Sequence, residues 1–244
     1  MGIRYRIKRC VFKLFPYLMK SSDYVEWLRY HGIEVGEGTY FFDPANIEVD
    51  IQRPWMLHIG RYCKITSGVK ILCHDYSRSV LRRVYGDIVG EADETHIGDN
   101  VFIGMNSIIL MGSSIGDNVI IGAGSVVSGT IPSNSVACGV PARVVRSLDE
   151  HYKKRKKKMM SEAQKYISNF QIYSGRLPNI DEMGPFWQLF MLRDISELRR
   201  NNIITNLNGD NEEEIINDFL ITKPAFDGYN QFLKAMIGEN AICR

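Results

Sequence analysis

The chain has 244 residues, 45% of them hydrophobic and 24% charged, with a net charge of +2. That length holds one or two domains, the hydrophobic share is ordinary for a packed interior, and so small a charge commits the chain to no class of partner. Its five cysteines, Cys10, Cys63, Cys73, Cys138 and Cys243, are odd in number and contain no Cys-x-x-Cys pair, which excludes a disulfide or zinc framework and points to reduced thiols in the cytoplasm.

The first segment is basic from Met1 to Arg9 and largely apolar from Val11 to Met19. Lys13 and Pro16 interrupt the apolar run, it is too short to span a bilayer, and no small-residue cleavage site follows, so it reads as neither signal peptide nor anchor. Position six is Arg6 rather than Ser or Thr, which argues against myristoylation. Residues 1–31 are expected to form an amphipathic helical cap on the end of the next domain. Peripheral membrane contact through Arg4, Arg6, Lys8, Arg9 and Lys13 is the alternative.

From Val35 an aliphatic or aromatic residue returns every six positions, at Phe41, Ile47, Ile59, Ile65 and Ile71, with Arg53 as the break. A second register follows at Ile97, Ile103, Ile109, Ile115, Ile121 and Val127. Glycine often comes directly after the anchor, as in Gly60, Gly98 and Gly116, and small or β-branched residues sit four places on, as in Thr39, Val69, Ser107 and Ser125. Ordinary strands alternate with period two and would not hold an Ile-Gly pair at multiples of six. The pattern predicts a parallel β-helix over residues 32–148 in which each hexapeptide is one side of a triangular coil and three close one turn. The twelve anchors amount to about four coils, with the ends adding to that. Glycine beside the anchor suits a corner that needs unusual dihedrals or close approach.

Between Ile71 and Ile97 the register slips, so a loop over residues 72–96 must leave the coil. It opens with Cys73, His74, Asp75, Tyr76 and Ser77. A histidine at the base of an excursion from a rigid scaffold suits a general base, because neutral imidazole has the right basicity near pH 7. After Val127 the beat fades, and residues 149–244 are expected to form a helical extension. It opens with the run Lys153-Lys154-Arg155-Lys156-Lys157-Lys158 and continues with helical patterns near 185–200, 212–221 and 225–236. The basic run lacks interleaved aromatics and any reader motif, so it is assigned to a solvated helix face or to attraction for an anionic ligand or lipid surface, and no nucleic acid is expected.

The stretches Ile97-Gly98-Asp99-Asn100-Val101 and Ile115-Gly116-Asp117-Asn118-Val119, closed by Gly139-Val140-Pro141-Ala142-Arg143, closely resemble the left-handed β-helix hexapeptide acyltransferases. Among these the chain looks most like the galactoside and maltose acetyltransferases and the polysaccharide O-acetyltransferases. The overall class is therefore expected to be mainly β, with the left hand of the coil coming from the resemblance alone.

The resemblance implies transfer of an acetyl group from acetyl-CoA to a sugar or surface-polysaccharide hydroxyl, in a cleft between subunits of a homotrimer. An amino-sugar nitrogen is the alternative acceptor. His74 matches the catalytic histidine, acting as general base in a direct transfer without an acyl-enzyme. Met105 and Ala123 fall where main-chain groups meet the thioester and pantetheine arm, and Ser128, Arg143 and Arg146 where the rest of CoA is held. Asp75 is the candidate to orient His74 or bind the acceptor. Phe102 and Met105 depart from the sugar enzymes, as does the Asp-Tyr-Ser continuation of the loop, so the channel width and the acceptor are expected to differ.

Two rivals remain at this level. Cys73 as nucleophile is disfavoured because neighbours on a strand face opposite ways. A zinc site built from His58, His74 and His96 lacks a closely spaced pair, and no metal is expected. A non-catalytic trimeric scaffold with a partner-binding extension is the second class of function, although packing alone requires neither His74 nor the Arg143 segment.

Overall fold

The computed structural model describes residues 18–201, 203 and 207–238, which belong to two compact units, Met1–His151 and Tyr152–Arg244. Most of the expected N-terminal cap, including its five basic side chains, lies outside the described residues.

The first unit is a parallel coil of three sheets. One face stacks β1 (Glu34–Val35), β4 (Leu57–Ile59), β7 (Thr95–Ile97), β10 (Ser114–Ile115) and β13 (Thr130–Ile131). The second stacks β2 (Tyr40–Phe41), β5 (Lys64–Ile65), β8 (Phe102–Ile103), β11 (Ile120–Ile121) and β14 (Ser135–Cys138), with β15 (Arg143–Ser147) added antiparallel. The third stacks β3 (Glu48–Val49), β6 (Lys70–Ile71), β9 (Ile108–Ile109) and β12 (Val126–Val127). In register, Val35 lies on Ile59, Ile97, Ile115 and Ile131, and Phe41 on Ile65, Ile103 and Ile121. These side chains form columns along the axis, and every anchor from Ile59 to Val127 is at most 1% exposed. Burying each aliphatic side chain contributes about 1.5–3 kcal/mol, so the columns dominate the stability of the unit.

The first coil departs from the expected beat. Val49, not Ile47, pairs with Ile71 and takes the rung. Two short 3-10 turns, Pro44–Asn46 and Pro54–Met56, lengthen this coil, so Val35 to Ile59 spans 24 positions where Ile97 to Ile115 spans 18. Because 24 is a multiple of six, the lengthening mimics an extra hexapeptide with Arg53 at its anchor.

The Ile-Gly-Asp-Asn-Val motif has a physical division of labour. The glycine serves close approach: a Cβ on Gly60 would stand 2.4 Å from the Gly98 carbonyl oxygen of the next coil. The unusual dihedral falls two residues later, on Asn100 and Asn118 at φ 55 and 57. Asparagine tolerates this left-handed region better than most residues. The aspartate bonds across coils, with Asp99 Oδ1 accepting from Arg61 N–H at 2.7 Å and Asp117 Oδ1 from Asp99 N–H at 2.8 Å. Asn100, Asn118 and Asn134 continue as a side-chain amide ladder.

The helix Ser21–Tyr30 buries Tyr24, Val25 and Leu28 in the same core as the first coil. Tyr24 meets Phe41 edge-on at 5.0 Å and donates its hydroxyl to the Ile47 carbonyl at 3.1 Å.

The second unit is helical. The helix Leu148–Ser174 enters it and contributes Ala163 and Ile167 to a core with Met183, Phe186, Phe190 and Phe232. A 3-10 run spans Asp181–Leu189, and α-helices follow at Ile195–Arg200, Glu212–Ile221 and Tyr229–Ile237. The single helix expected over 185–200 is thus split. The first part is a 3-10 run that ends at its C-cap Phe190 (φ −134, ψ −12), and a new helix starts only where the Asp194 carboxylate accepts from Ser196 N–H at 2.9 Å. Helical residues outnumber strand residues among those described, so the class is mixed α and β rather than mainly β. Each rung contributes about two residues to strand, whereas one helix alone runs for 27. Among the described residues no helix is long and apolar enough to cross a membrane.

Candidate active site

His74 stands where the chain leaves the third face. Ile71 ends β6, the Leu72 N–H still bonds the Ile109 carbonyl at 2.9 Å, and Cys73 is fully buried. Beyond that point the excursion carries an exposed helix, Arg78–Tyr85, and returns at Thr95, whose hydroxyl donates to the Leu72 carbonyl at 2.7 Å. The His74 side chain is 26% exposed. Its ring is therefore anchored by the coil on one side and open on the other.

The anchor is Asp50. It follows Val49 directly below the β6 rung, and its side chain is 3% exposed. Asp50 Oδ2 accepts a short hydrogen bond from His74 Nδ1 and further bonds from the Cys73 N–H and thiol, both at 3.2 Å. Asp50 Oδ1 accepts from Gln52 N–H at 2.9 Å. Burial by itself pushes this carboxyl up, but the bonds from Gln52, His74 and Cys73 outweigh it and hold Asp50 below its ordinary range. An ionised carboxylate only accepts, so Nδ1 carries the ring proton and Nε2 is left as the basic atom. Sequence reasoning missed Asp50, because the misread rung at Ile47 hid its place under His74.

Asp75 does not fill that role. Its Oδ1 accepts from the Ser77 N–H at 2.9 Å and hydroxyl at 2.8 Å, closing a local turn that holds its carboxyl low. The side chain is exposed.

Met105 and Ala123 come together at the corner between the second and third faces. The Gly124 N–H donates to the Met105 carbonyl at 2.7 Å, and a Cβ on Gly104 would stand 2.5 Å from Ala123 N. Ser128 follows β12 and so shares with His74 the corner between the third and first faces, two rungs along. Arg143 and Arg146 lie on β15 opposite Cys138 and Val136. Among the described residues neither arginine forms an ion pair. A single chain thus places His74 and Ser128 at one end of the third face, and Met105 and Ala123 at the other.

Asp50, Cys73 and His74 each bring one ligand-type atom within 4.8 Å of the others. Burial and the neighbouring Asp50 push the Cys73 thiol up to about 11, so it keeps its proton and donates it to the carboxylate. In this arrangement the three side chains are joined as a hydrogen-bonded trio, with Asp50 Oδ2 accepting from both the thiol and the ring. The same shift makes Cys73 a poor nucleophile. His58 and His96, far apart in sequence, are register partners with rings 6.1 Å apart, contrary to expectation. His58 lies between Glu34 at 2.9 Å and Glu94 at 3.1 Å, on the first face rather than beside His74. Cys63, Cys73 and Cys138 are free thiols, while Cys10 and Cys243 lie outside the described residues.

Residues 94–129 match the model of the bacterial transferase hexapeptide family (six repeats). Protein CapG of Staphylococcus aureus is 40% identical over 142 residues, which cover 57% of this chain and 80% of that protein. The chain belongs to the hexapeptide-repeat transferases. Solved structures similar to it include a maltose O-acetyltransferase from Clostridium difficile, at 28% identity and TM-score 0.39, covering 59% of this chain and 85% of that one. A soybean serine acetyltransferase apoenzyme is 27% identical at TM-score 0.34, covering 46% of this chain, which spans only 40% of that enzyme. Family membership rests on the sequence matches, whose repeat region ends one residue after Ser128.

Proposed function

We propose that this protein is an acetyl-CoA-dependent O-acetyltransferase of a sugar or surface-polysaccharide hydroxyl. It works in the cytoplasm as a trimer of left-handed coils. The observation that carries the reading is the Asp50–His74 pair, set at the mouth of the 72–96 loop in a chain of the hexapeptide transferase family.

The acceptor O–H lies against His74 Nε2. As the oxygen attacks the thioester carbonyl, Nε2 takes its proton, and Asp50 keeps the ring oriented and stabilises the imidazolium. The tetrahedral oxyanion then collapses, the carbon–sulfur bond breaks, and His74 returns the proton to the departing thiolate. The products are the acetyl ester and free CoA. The Met105 N–H is a fixed donor for the oxyanion, since its own carbonyl is already engaged by Gly124. Ala123 lines the pantetheine path, and Ser128, Arg143 and Arg146 meet the rest of CoA, the arginines its phosphates. Asp75, exposed beside His74, is assigned to the acceptor.

These groups lie at opposite ends of one face, so a complete site needs the Met105 end of one coil beside the His74 end of another. A trimer supplies that arrangement.

The test is release of free CoA thiol from acetyl-CoA by the purified full chain across a panel of sugars and glycans. We expect turnover with a hydroxyl acceptor, and a loss of about 10²–10⁴-fold in His74→Ala with an unchanged melting curve. No transfer to any acceptor, together with no CoA binding by calorimetry, leaves the scaffold reading. A light-scattering mass other than three chains removes the shared cleft.

A further inference from the structure

The basic run of the second unit is sorted by its helix. Within Leu148–Ser174, the positions Tyr152, Arg155, Lys156 and Met159 recur at the i, i+3, i+4, i+7 spacing that puts them on one stripe. They line an open cavity of about 600 Å³ in that unit, within the range of small-molecule sites. Across from the stripe stand Arg193 and Lys223, while Pro185, Phe186, Leu189 and Ala225 supply an apolar floor. Among the described residues no carboxylate lines the cavity.

Arg155 is committed to Glu162, with bonds of 2.9 and 2.6 Å. Three cations remain without an acidic partner among the described residues. Lys156 lies over the Tyr152 ring at 5.5 Å. Arg193 is held in place by donating to the carbonyls of Gln188 at 3.0 Å and Met191 at 2.6 Å, and by stacking on Phe219 at 4.4 Å. Burial lowers the pKa of its guanidinium, and among the described residues no neighbouring carboxylate offsets that. Lys156 and Lys223 are exposed and draw an anion toward the cavity, and a small hydrated anion would gain nothing from the apolar floor.

We propose that this cavity binds a single-chain amphiphile with a phosphate head. The head lies among Lys156, Arg193 and Lys223, and the chain lies on Met159, Leu189 and Ala225. The proposal is independent of the acetyltransferase reading and stands if that reading fails.

Isothermal titration of the full chain with decyl phosphate, below its micelle concentration, tests it. Decyl maltoside carries a chain without the charge, and inorganic phosphate carries the charge without the chain. Decyl phosphate is expected to bind at least tenfold more tightly than either. The double substitution Lys156→Glu with Lys223→Glu should weaken it at least tenfold. Ala225→Trp, which fills the apolar floor and leaves the charges alone, should do the same, and serves if the double variant does not fold. Equal binding of decyl maltoside means a plain apolar patch, and equal binding of phosphate means a free-anion site. Either result, no binding, or full affinity retained in folded variants overturns the proposal.

Discussion

Asp50 Oδ2 accepts from His74 Nδ1 across adjacent rungs of the coil, so a carboxylate on one turn orients an imidazole on the next. Asp50 touches no reacting atom in the proposed transfer and acts by positioning. Asn in its place presents no negative charge and can offer an N–H to the wrong side of the ring. We expect Asp50→Asn to lower kcat by about 10–10³-fold, within the range of a misoriented general base, while KM for acetyl-CoA stays within twofold. A kcat–pH profile that keeps its wild-type shape and height in the variant would contradict the role.

The same contact carries a pH signature. The Asp50 carboxyl sits below its ordinary value of 3.8 in the folded chain. A depressed carboxylate contributes stability that is complete above the unfolded value and is lost as pH falls through the lower, folded one. Urea unfolding of wild type and Asp50→Asn should therefore show a gap that narrows as pH falls below about 4. A gap that widens as pH falls below about 4 reverses the sign and refutes the assignment.

Cys73 supplies a donor to Asp50 and no nucleophile. With its thiol raised to about 11, almost none is ionised at pH 7. Cys73→Ser keeps a donor of similar size, and its activity should stay within about fivefold of wild type. Intact-mass spectrometry during turnover should find no acetyl group on the wild-type chain. An adduct at Cys73 would replace the direct transfer with a covalent one.

The axis of the coil is readable from sequence because stacking forces one residue in six inward whatever the surface does. His74 is readable because the same rule exposes where the chain leaves the coil. Asp50 is not, since a lengthened first coil of 24 positions keeps step with the six-residue beat while moving the rung from Ile47 to Val49. The orienting contact, one of the two roles considered for Asp75, is made by a residue 24 positions from the histidine in sequence but one rung away in space. The pairing of His58 with His96 was hidden likewise, because their register depends on how much chain the 72–96 loop removes from the coil. In the second unit, the break between the 3-10 run capped at Phe190 and the helix starting at Ile195 is a backbone feature that helical periodicity over 185–200 does not register.

The tightest constraint on the coil is the approach of its corners. An added Cβ on Gly60 would stand 2.4 Å from the Gly98 carbonyl oxygen and 2.5 Å from its carbon, which are backbone atoms that no rotamer change can move. Gly60 donates its own N–H to the Ile97 carbonyl at 2.8 Å, so separating the corners also stretches a rung. Overpacking of this kind costs about 1–3 kcal/mol, and a rigid ladder places the substitution toward the upper end. Gly60→Ala should shift the urea midpoint down accordingly, whereas Gly86→Ala, with nothing within 4 Å of its added Cβ but a φ of 69, should cost only the backbone term of about 1 kcal/mol. Equal losses in the two variants would show that glycine at the coil corner serves backbone freedom rather than contact.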